Sequence, residues 1–244
     1  MPVFSQTAMD ITVDAFGLQV FANEAMVDVI ADEVDFTTFT SGGWRAKGAG
    51  LARGTCGVKG FQDYATTGVD VQFPLTGLGG VDVFTVGPFV GTQVAGDPAF
   101  MGQGPLTGLT PLSGAVGDPG MFAFSWAGAG RLVRGKYLHP SAARVASGTG
   151  TAVTCAPPTA SQALYATFHV LSVTGTGTIT FAVQTDDNAG FTSATTRITS
   201  STFAAVGRQF ASLAGAIAAE THVRVSWTIS GFTSVTFVAA AGVL

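Results

Sequence analysis

Residues 32–64 read DEVDFTTFTSGGWRAKGAGLARGTCGVKGFQDY, and the reading of this stretch decides the fold. It begins acidic and threonine-rich, turns through Ser41-Gly42-Gly43, and carries four of the chain's eleven Lys and Arg residues: Arg45, Lys47, Arg53 and Lys59. It leaves in a strand-like alternation over residues 54–64. A basic arm without hydrophobic periodicity, framed by two strands, is poor material for a core. Connections of that length inside a compact domain are usually functional or disordered. The expectation is an arm that lies between subunits, presented by a β scaffold.

Composition points the same way. Charged residues make up 11% of the 244, against roughly 25% in ordinary soluble domains, while apolar residues reach 47% and 33 positions are glycine. Mean hydropathy is +0.43, yet no run approaches the ~18 consecutive apolar residues of a spanning helix. The apolar stretch 237–244 is too short, so membrane insertion is not expected. Apolar surface in such a chain is instead expected to be covered by other subunits. A net charge of −4 and a pI near 5.2 argue against a protein that grips nucleic-acid phosphates. The N-terminal MPVFSQTAMD lacks the basic and apolar regions of a signal peptide. Cys56 and Cys155, without CxxC spacing, read as small buried hydrophobes of a protein made in a cytoplasm.

Before the arm, residues 10–21 (DITVDAFGLQVF) alternate as a strand with a bend at Gly17. Residues 23–34 support two readings. Ala25, Met26, Val29, Ile30 and Val34 fit a helical face behind an Asn23 cap, and the same run fits a strand with one polar side. Seven acids (Asp10, Asp14, Glu24, Asp28, Asp32, Glu33 and Asp35) precede the first basic residue, Arg45. They are either a solvated face or a wall that repels polyanions.

After the arm, residues 66–80 are expected to hold a short helix or loop, broken at Pro74. Strands are expected at 81–90 with an interruption at Gly87-Pro88, near 99–112, at 121–126, and at 131–139 with Pro140 ending the last. Turns fall at Asp97-Pro98 and Asp118-Pro119. Residues 147–151 form a small-residue hinge. Short strands at 164–173, 179–184, 195–200, 209–213, 223–229 and 233–239, separated by turn signals at 174–177, 186–190 and 230–231, then read as a small sandwich or barrel.

Catalytic patterns are missing: no GxSxG, HExxH or phosphate-binding loop occurs. Gly48-Ala49-Gly50 with Gly54 lacks dinucleotide-loop spacing and precedes a strand, so no cofactor is expected. His139, His169 and His222 are isolated from one another. Asp186-Asp187-Asn188 suits a turn better than a calcium loop. Phe61, Phe84, Phe124, Trp126 and Trp227 alternate with polar residues as core positions do.

Several segments together resemble a known family. The run VDFTTFTSGGWRAKGAGLARGTCGVKGF is similar to a motif of the tail tube proteins of long-tailed phages. RLVRGKYLHP (131–140) followed by ASGTGT (146–151) resembles the linker leaving the tube domain in actinophage-type members. VQTDDNAGFTSATTRITSSTF and HVRVSWTISGFTSVTFVAAAGV resemble the β domain that follows it. The resemblance implies an all-β chain with at most one short helix: a tail-tube β-sandwich or barrel over 1–146, then a small β-sandwich over 147–244 on the tube exterior. It moves 23–34 toward strand. Residues 66–80 depart from the family pattern, lacking the clean amphipathic helix that many tube folds carry.

The resemblance further implies a non-enzymatic virion subunit, assembled in the bacterial host cytoplasm into stacked, hexameric rings around a lumen that conducts DNA. The arm residues Thr38, Trp44, Arg45, Lys47, Arg53 and Lys59 would mediate contacts between subunits and rings, and Asp28, Asp32, Glu33 and Asp35 would face the lumen. An acidic wall denies passing DNA the counterion-release gain that makes basic grooves hold it. Partners would be further copies of the chain, tape measure and tail-terminator or tail-tip proteins, and DNA only in transient passage. The alternative is a virion decoration or carbohydrate-binding sandwich.

Overall fold

A computed structural model describes residues 8–38, 44–66, 68–128, 131–217 and 220–244. The expected turn at Ser41-Gly42-Gly43 lies outside them. In chain order the strands are β1 (Ala8–Val13), β2 (Phe16–Gly17), β3 (Ala22–Asp35), β4 (Lys47–Phe61), β5 (Val81–Phe89), β6 (Pro98–Ser113) and β7 (Met121–Ala127). Then follow β8 (Val133–Arg144), β9 (Gly148–Thr149), β10 (Val153–Thr154), β11 (Ala163–Asp186), β12 (Thr195–Thr199), β13 (Gly207–Ala214) and β14 (His222–Val243). A one-turn helix, α1 (Val69–Gln72), and a 3₁₀ turn at Leu75–Gly77 sit between β4 and β5. The chain is all-β and its sheet is antiparallel, with the spatial order β12-β11-β14-β8-β6-β5-β1-β2 along one path.

The first core lies between β1 and β5 on one side and β4 and β7 on the other. Val13, Leu18, Cys56, Phe84, Phe122 and Trp126 are buried there, and Phe73, just past α1, closes it by packing on Phe124 at 4.8 Å between ring centres. β6 joins the layers: residues 98–101 pair with β8, 100–105 with β5, and 106–113 with β7. The layer change passes Gly104, where a Cβ would run into the Ala127 carbonyl.

The second core belongs to two very long strands. β11 and β14 pair from Leu164↔Val243 to Asp186↔His222, and their register breaks near the middle, around Gly175 and Gly177. Gly175 and Gly231 have φ of 88° and 85°, a region where side chains are strained. Gly177 packs so closely on the backbone of Ser230 and Phe232 that a Cβ has no room. The consequence is a sharp bend. Phe168 and Phe181 lie on one strand, 13 residues apart, and would be about 43 Å apart along a straight one. Their rings stack at 5.3 Å. Trp227 and Phe237 of β14 meet across the same core, also at 5.3 Å. Each long strand therefore contributes to both layers of a sandwich. β13 lies beside the first half of β11 and β12 beside the second.

Several expectations are corrected here. The signals at 174–177 and 230–231 mark bulges inside single strands, not turns between short ones. The chain does not run as one strand through 10–21: it reverses after β1, with Asp14 at φ 53°. β5 continues through Gly87-Pro88, where Pro88 lies opposite Met9. β8 continues through Pro140 because two of its residues, Pro140 and Ser141, face one of β14, Val238; that bulge accommodates a residue with no N–H to donate. Residues 23–34 are strand, as the resemblance implied. Asp186 does organise a turn, accepting the N–H groups of Asn188 (3.0 Å) and Ser193 (2.8 Å).

β8 lies between the two cores in the strand order. It pairs with β6 and with β14, and its Leu138 enters the second core while Val133 and Tyr137 join Met101, Val238 and Ala240 in a small cluster between the two. Cys56 is fully buried, which pushes its thiol up to about 12. Among the described residues no helix is long and apolar enough to cross a membrane.

Candidate assembly surface

The arm is a hairpin. β3 and β4 pair from Ala22↔Gly60 to Asp35↔Lys47, so residues 47–53, expected as loop, are strand. The ladder runs on to Phe36, whose N–H bonds the Ala46 carbonyl at 2.7 Å. Beyond it the Thr37 hydroxyl accepts from Ala46 N–H (3.0 Å), and Thr37 N–H donates to Asp35 (2.8 Å). Hydrogen bonds from Thr37 hold the Asp35 carboxyl below its ordinary range. The strand was hidden by glycine. On β4, Gly48 and Gly50 carry no side chain, and the ring of Phe36, just past β3, and the Val34 methyls of β3 lie across the bare positions. A hydrophobic period is therefore present on one strand of the pair and erased on the other.

The base of the hairpin belongs to the fold and its outer half does not. β7 pairs with β4 only as far as Thr55↔Ala127. Below that point Ala25, Val27, Cys56 and Val58 turn into the first core. Above it the ribbon has two strands, and about seven residue pairs at ~3.4 Å per residue carry it roughly 24 Å outward. Both faces of that ribbon are exposed. It nevertheless carries large apolar side chains: Val29, Ile30, Val34 and Phe36, with Leu51 at 84% exposure and Trp44, beyond the start of β4, at 83%. Two-stranded ribbons are marginally stable in water, and apolar patches of this size mark interaction surfaces.

The charged residues sort by strand alternation. Glu24, Asp28 and Asp32 share the face turned away from the core, together with Met26 and Ile30. Glu33 and Asp35 point to the opposite face. The four expected lumen acids are thus split between two surfaces. Lys47 forms an ion pair with Glu33, and Lys59 pairs with Glu24 at 2.9 Å, both within the hairpin. Both lysines, expected as contacts between subunits and rings, thus have a partner within their own hairpin. Arg45 and Arg53 are exposed and form no ion pair among the described residues. Thr38 is exposed just past the end of β3. Sequence reading missed the apolar members Met26, Val29, Ile30, Val34, Phe36 and Leu51 as surface residues. Their alternation with acids on β3 was the available signal.

No family model matches the chain, and no curated protein does. Among solved structures it is similar to a chain of the virion of a native gene transfer agent particle, at 20% identity over 53% of this chain and 97% of that one, with a TM-score of 0.39. It is also similar to a chain from the tail of an empty gene transfer agent particle refined with C6 symmetry, at 19% identity over 50% and 93%, TM-score 0.36. A third similarity is to the SPP1 Dit protein, described as a hub of the adsorption apparatus in phages infecting Gram-positive hosts, at 10% identity over 98% and 100%, TM-score 0.31. Likenesses this loose leave function to be argued from the chain's own residues.

Proposed function

We propose that the chain is a structural subunit of a phage tail tube, polymerising as stacked, hexameric rings around a lumen that conducts DNA, with no enzymatic activity. The carrying observation is the ribbon of β3 and β4, which leaves its own fold with apolar side chains on both faces. Burial against neighbouring copies removes that surface from water at about 25 cal/mol per Å² and gives the free edge of β3 a partner. The contact is heterologous, a projection on one copy seated on a different surface of the next, and such contacts generate rings or filaments. The resemblance of residues 34–61 to the tube motif supports the same reading.

Within it, residues 1–146 form the ring and 147–244 lie outside it. Asp28 and Asp32, with Glu24, are the acids able to line one wall together, and Arg45 and Arg53 are the arm cations free to meet acids of another copy. Tape measure and tail-terminator or tail-tip proteins are the expected partners in a virion assembled in the host cytoplasm. The test is sedimentation and negative-stain microscopy of the purified chain at rising concentration. Rings or tubes are the expected result, and a persistent monomer at high concentration would overturn the reading. Replacing Trp44 and Leu51 with Ser should abolish the assemblies while leaving the far-ultraviolet circular dichroism unchanged.

A further inference from the structure

The back of the β1–β5 layer meets the C-terminal sandwich through polar groups, an unusual choice for a contact this enclosed. His169 of β11 is buried, and its Nδ1 lies 2.7 Å from the Asp14 carbonyl. A carbonyl only accepts, so Nδ1 carries the hydrogen and Nε2 accepts from the Thr85 hydroxyl of β5 at 2.9 Å. Thr85 then accepts from Thr167 of β11 at 2.8 Å. The chain of bonds is complete only with a neutral imidazole, consistent with a His169 held down to about 4 by burial.

At the rim of this contact sit two carboxylates and one guanidinium. Asp14 accepts the Val83 N–H at 2.8 Å and Arg208 Nε of β13 at 2.9 Å. Arg208 also donates to the Val81 carbonyl at 3.1 Å. Asp82 of β5 borders the same cleft as Asp14 and accepts the Trp126 indole N–H of β7 at 2.7 Å. A cleft of about 280 Å³ bordered by Phe16, Gln72, Phe73 and these three charged groups gives water access to them. With one shared proton the carboxyl pair carries −1 and Arg208 cancels it; with none, −2 faces a single +1 across a half-buried contact.

We infer that Asp14, Asp82 and Arg208 form a proton-controlled latch that sets how firmly the C-terminal sandwich is held against the N-terminal layer. The latch is closed with one proton on the carboxyl pair and loosens when that proton leaves. Burial first, then the neighbouring Asp82 charge, raises Asp14 to about 7, against the pull of Val83 N–H and Arg208. A raised carboxyl favours the folded contact at low pH and loses that contribution as pH rises through about 7. The neighbouring His169 titrates far below this range and does not oppose the change.

Hydrogen–deuterium exchange of the full chain from about pH 6 to about pH 8.5, corrected for intrinsic exchange, tests the latch. Protection in peptides covering 81–86 and 207–214 should fall about tenfold, as for one proton per opening, while 179–186 stays constant. Asp14→Asn removes the buried carboxyl that takes the proton, so protection in that variant should not vary with pH. Asp82→Asn keeps the buried Asp14 and removes only its charged neighbour, so the fall in protection should persist with its midpoint moved to lower pH. If the Asp14→Asn chain does not fold, the moved midpoint in Asp82→Asn tests the latch. Wild-type protection independent of pH, loss that also reaches 179–186, pH dependence surviving in Asp14→Asn, or an unmoved midpoint in Asp82→Asn would overturn the inference.

Discussion

The two halves of this chain handle apolar surface in opposite ways. Of the 21 exposed large apolar residues among the described positions, 18 precede residue 127; Val145, Val206 and Leu244 are the others. The C-terminal sandwich folds its two long strands so that Phe168, Phe181, Trp227 and Phe237 meet one another. The N-terminal part runs a long pair of strands straight out of the fold. One ribbon is bent by glycine and closes on itself, and the other is left open. Low charge and high hydropathy in one sequence can thus describe two surfaces: one finished, the other awaiting a neighbour.

The sharpest way to break that contrast is to treat matched positions alike. Phe181→Ala removes an aromatic from a closed core and should cost about 3–5 kcal/mol in urea unfolding. Leu51→Ser removes an apolar side chain from the open ribbon and should move the stability of the isolated chain by no more than about 0.5 kcal/mol, while reducing assembly. Equal losses at the two positions would mean that the ribbon is packed on its own fold.

The bend offers the next test. Gly177→Val places side-chain atoms where the Ser230 and Phe232 backbones already lie, so the two strands must separate at the kink. A loss of about 2–4 kcal/mol is expected, within the range for severe overpacking and backbone strain. The same change at Gly57, where a Cβ would meet neighbours only at 3.8 Å or beyond, should cost far less.

What the sequence made legible follows from the same contrast. Strand identity was readable wherever one face was buried, as at residues 81–89, 98–113 and 121–127, because alternation encodes a single core face. It was unreadable on the first half of β4, residues 47–53, where Gly48 and Gly50 replace side chains that would show the period. Glycine misled in the other direction at 174–177 and 230–231, since a bulge and a turn both need small residues with free φ. The arm was found as a functional element, but its basic residues drew attention and its apolar ones did not. Trp44 is the exception. The junction of Asp14, Asp82, His169 and Arg208 had no sequence signal, because its members come from turns and strands brought together only by the tertiary fold.

Acid should reach the two halves through histidine. His139, buried beside Trp227 and Phe237, and His169 are both held down to about 4 from 6.5, chiefly by burial. In the unfolded chain each takes a proton near 6.5, and in the native state not until about 4. The stability these two histidines contribute is therefore full above 6.5 and falls as pH drops toward 4, by on the order of 3 kcal/mol for His169. His169→Gln should remove about one proton from the acid limb of the urea-unfolding profile between those values. An unchanged limb would show that His169 is already protonated in the folded state.

The smallest effects belong to the ion pairs that the sequence made most conspicuous. Lys47–Glu33 and Lys59–Glu24 lie on an open ribbon with both partners well exposed, and exposed pairs contribute about 0–1 kcal/mol, screened further by salt. Lys59→Ala should leave chain stability within about 0.5 kcal/mol of wild type, and Lys47→Ala should do the same. The informative comparison is with the unpaired cations. Arg45→Glu and Arg53→Glu together break no ion pair within the described chain, yet they reverse charge on the surface offered to a neighbour. Assembly should weaken much more in that double variant than in the lysine pair, with a stronger dependence on salt. If both sets of variants assemble equally well, the arm's cations serve the hairpin's own solubility, and its apolar residues alone hold the neighbouring copy.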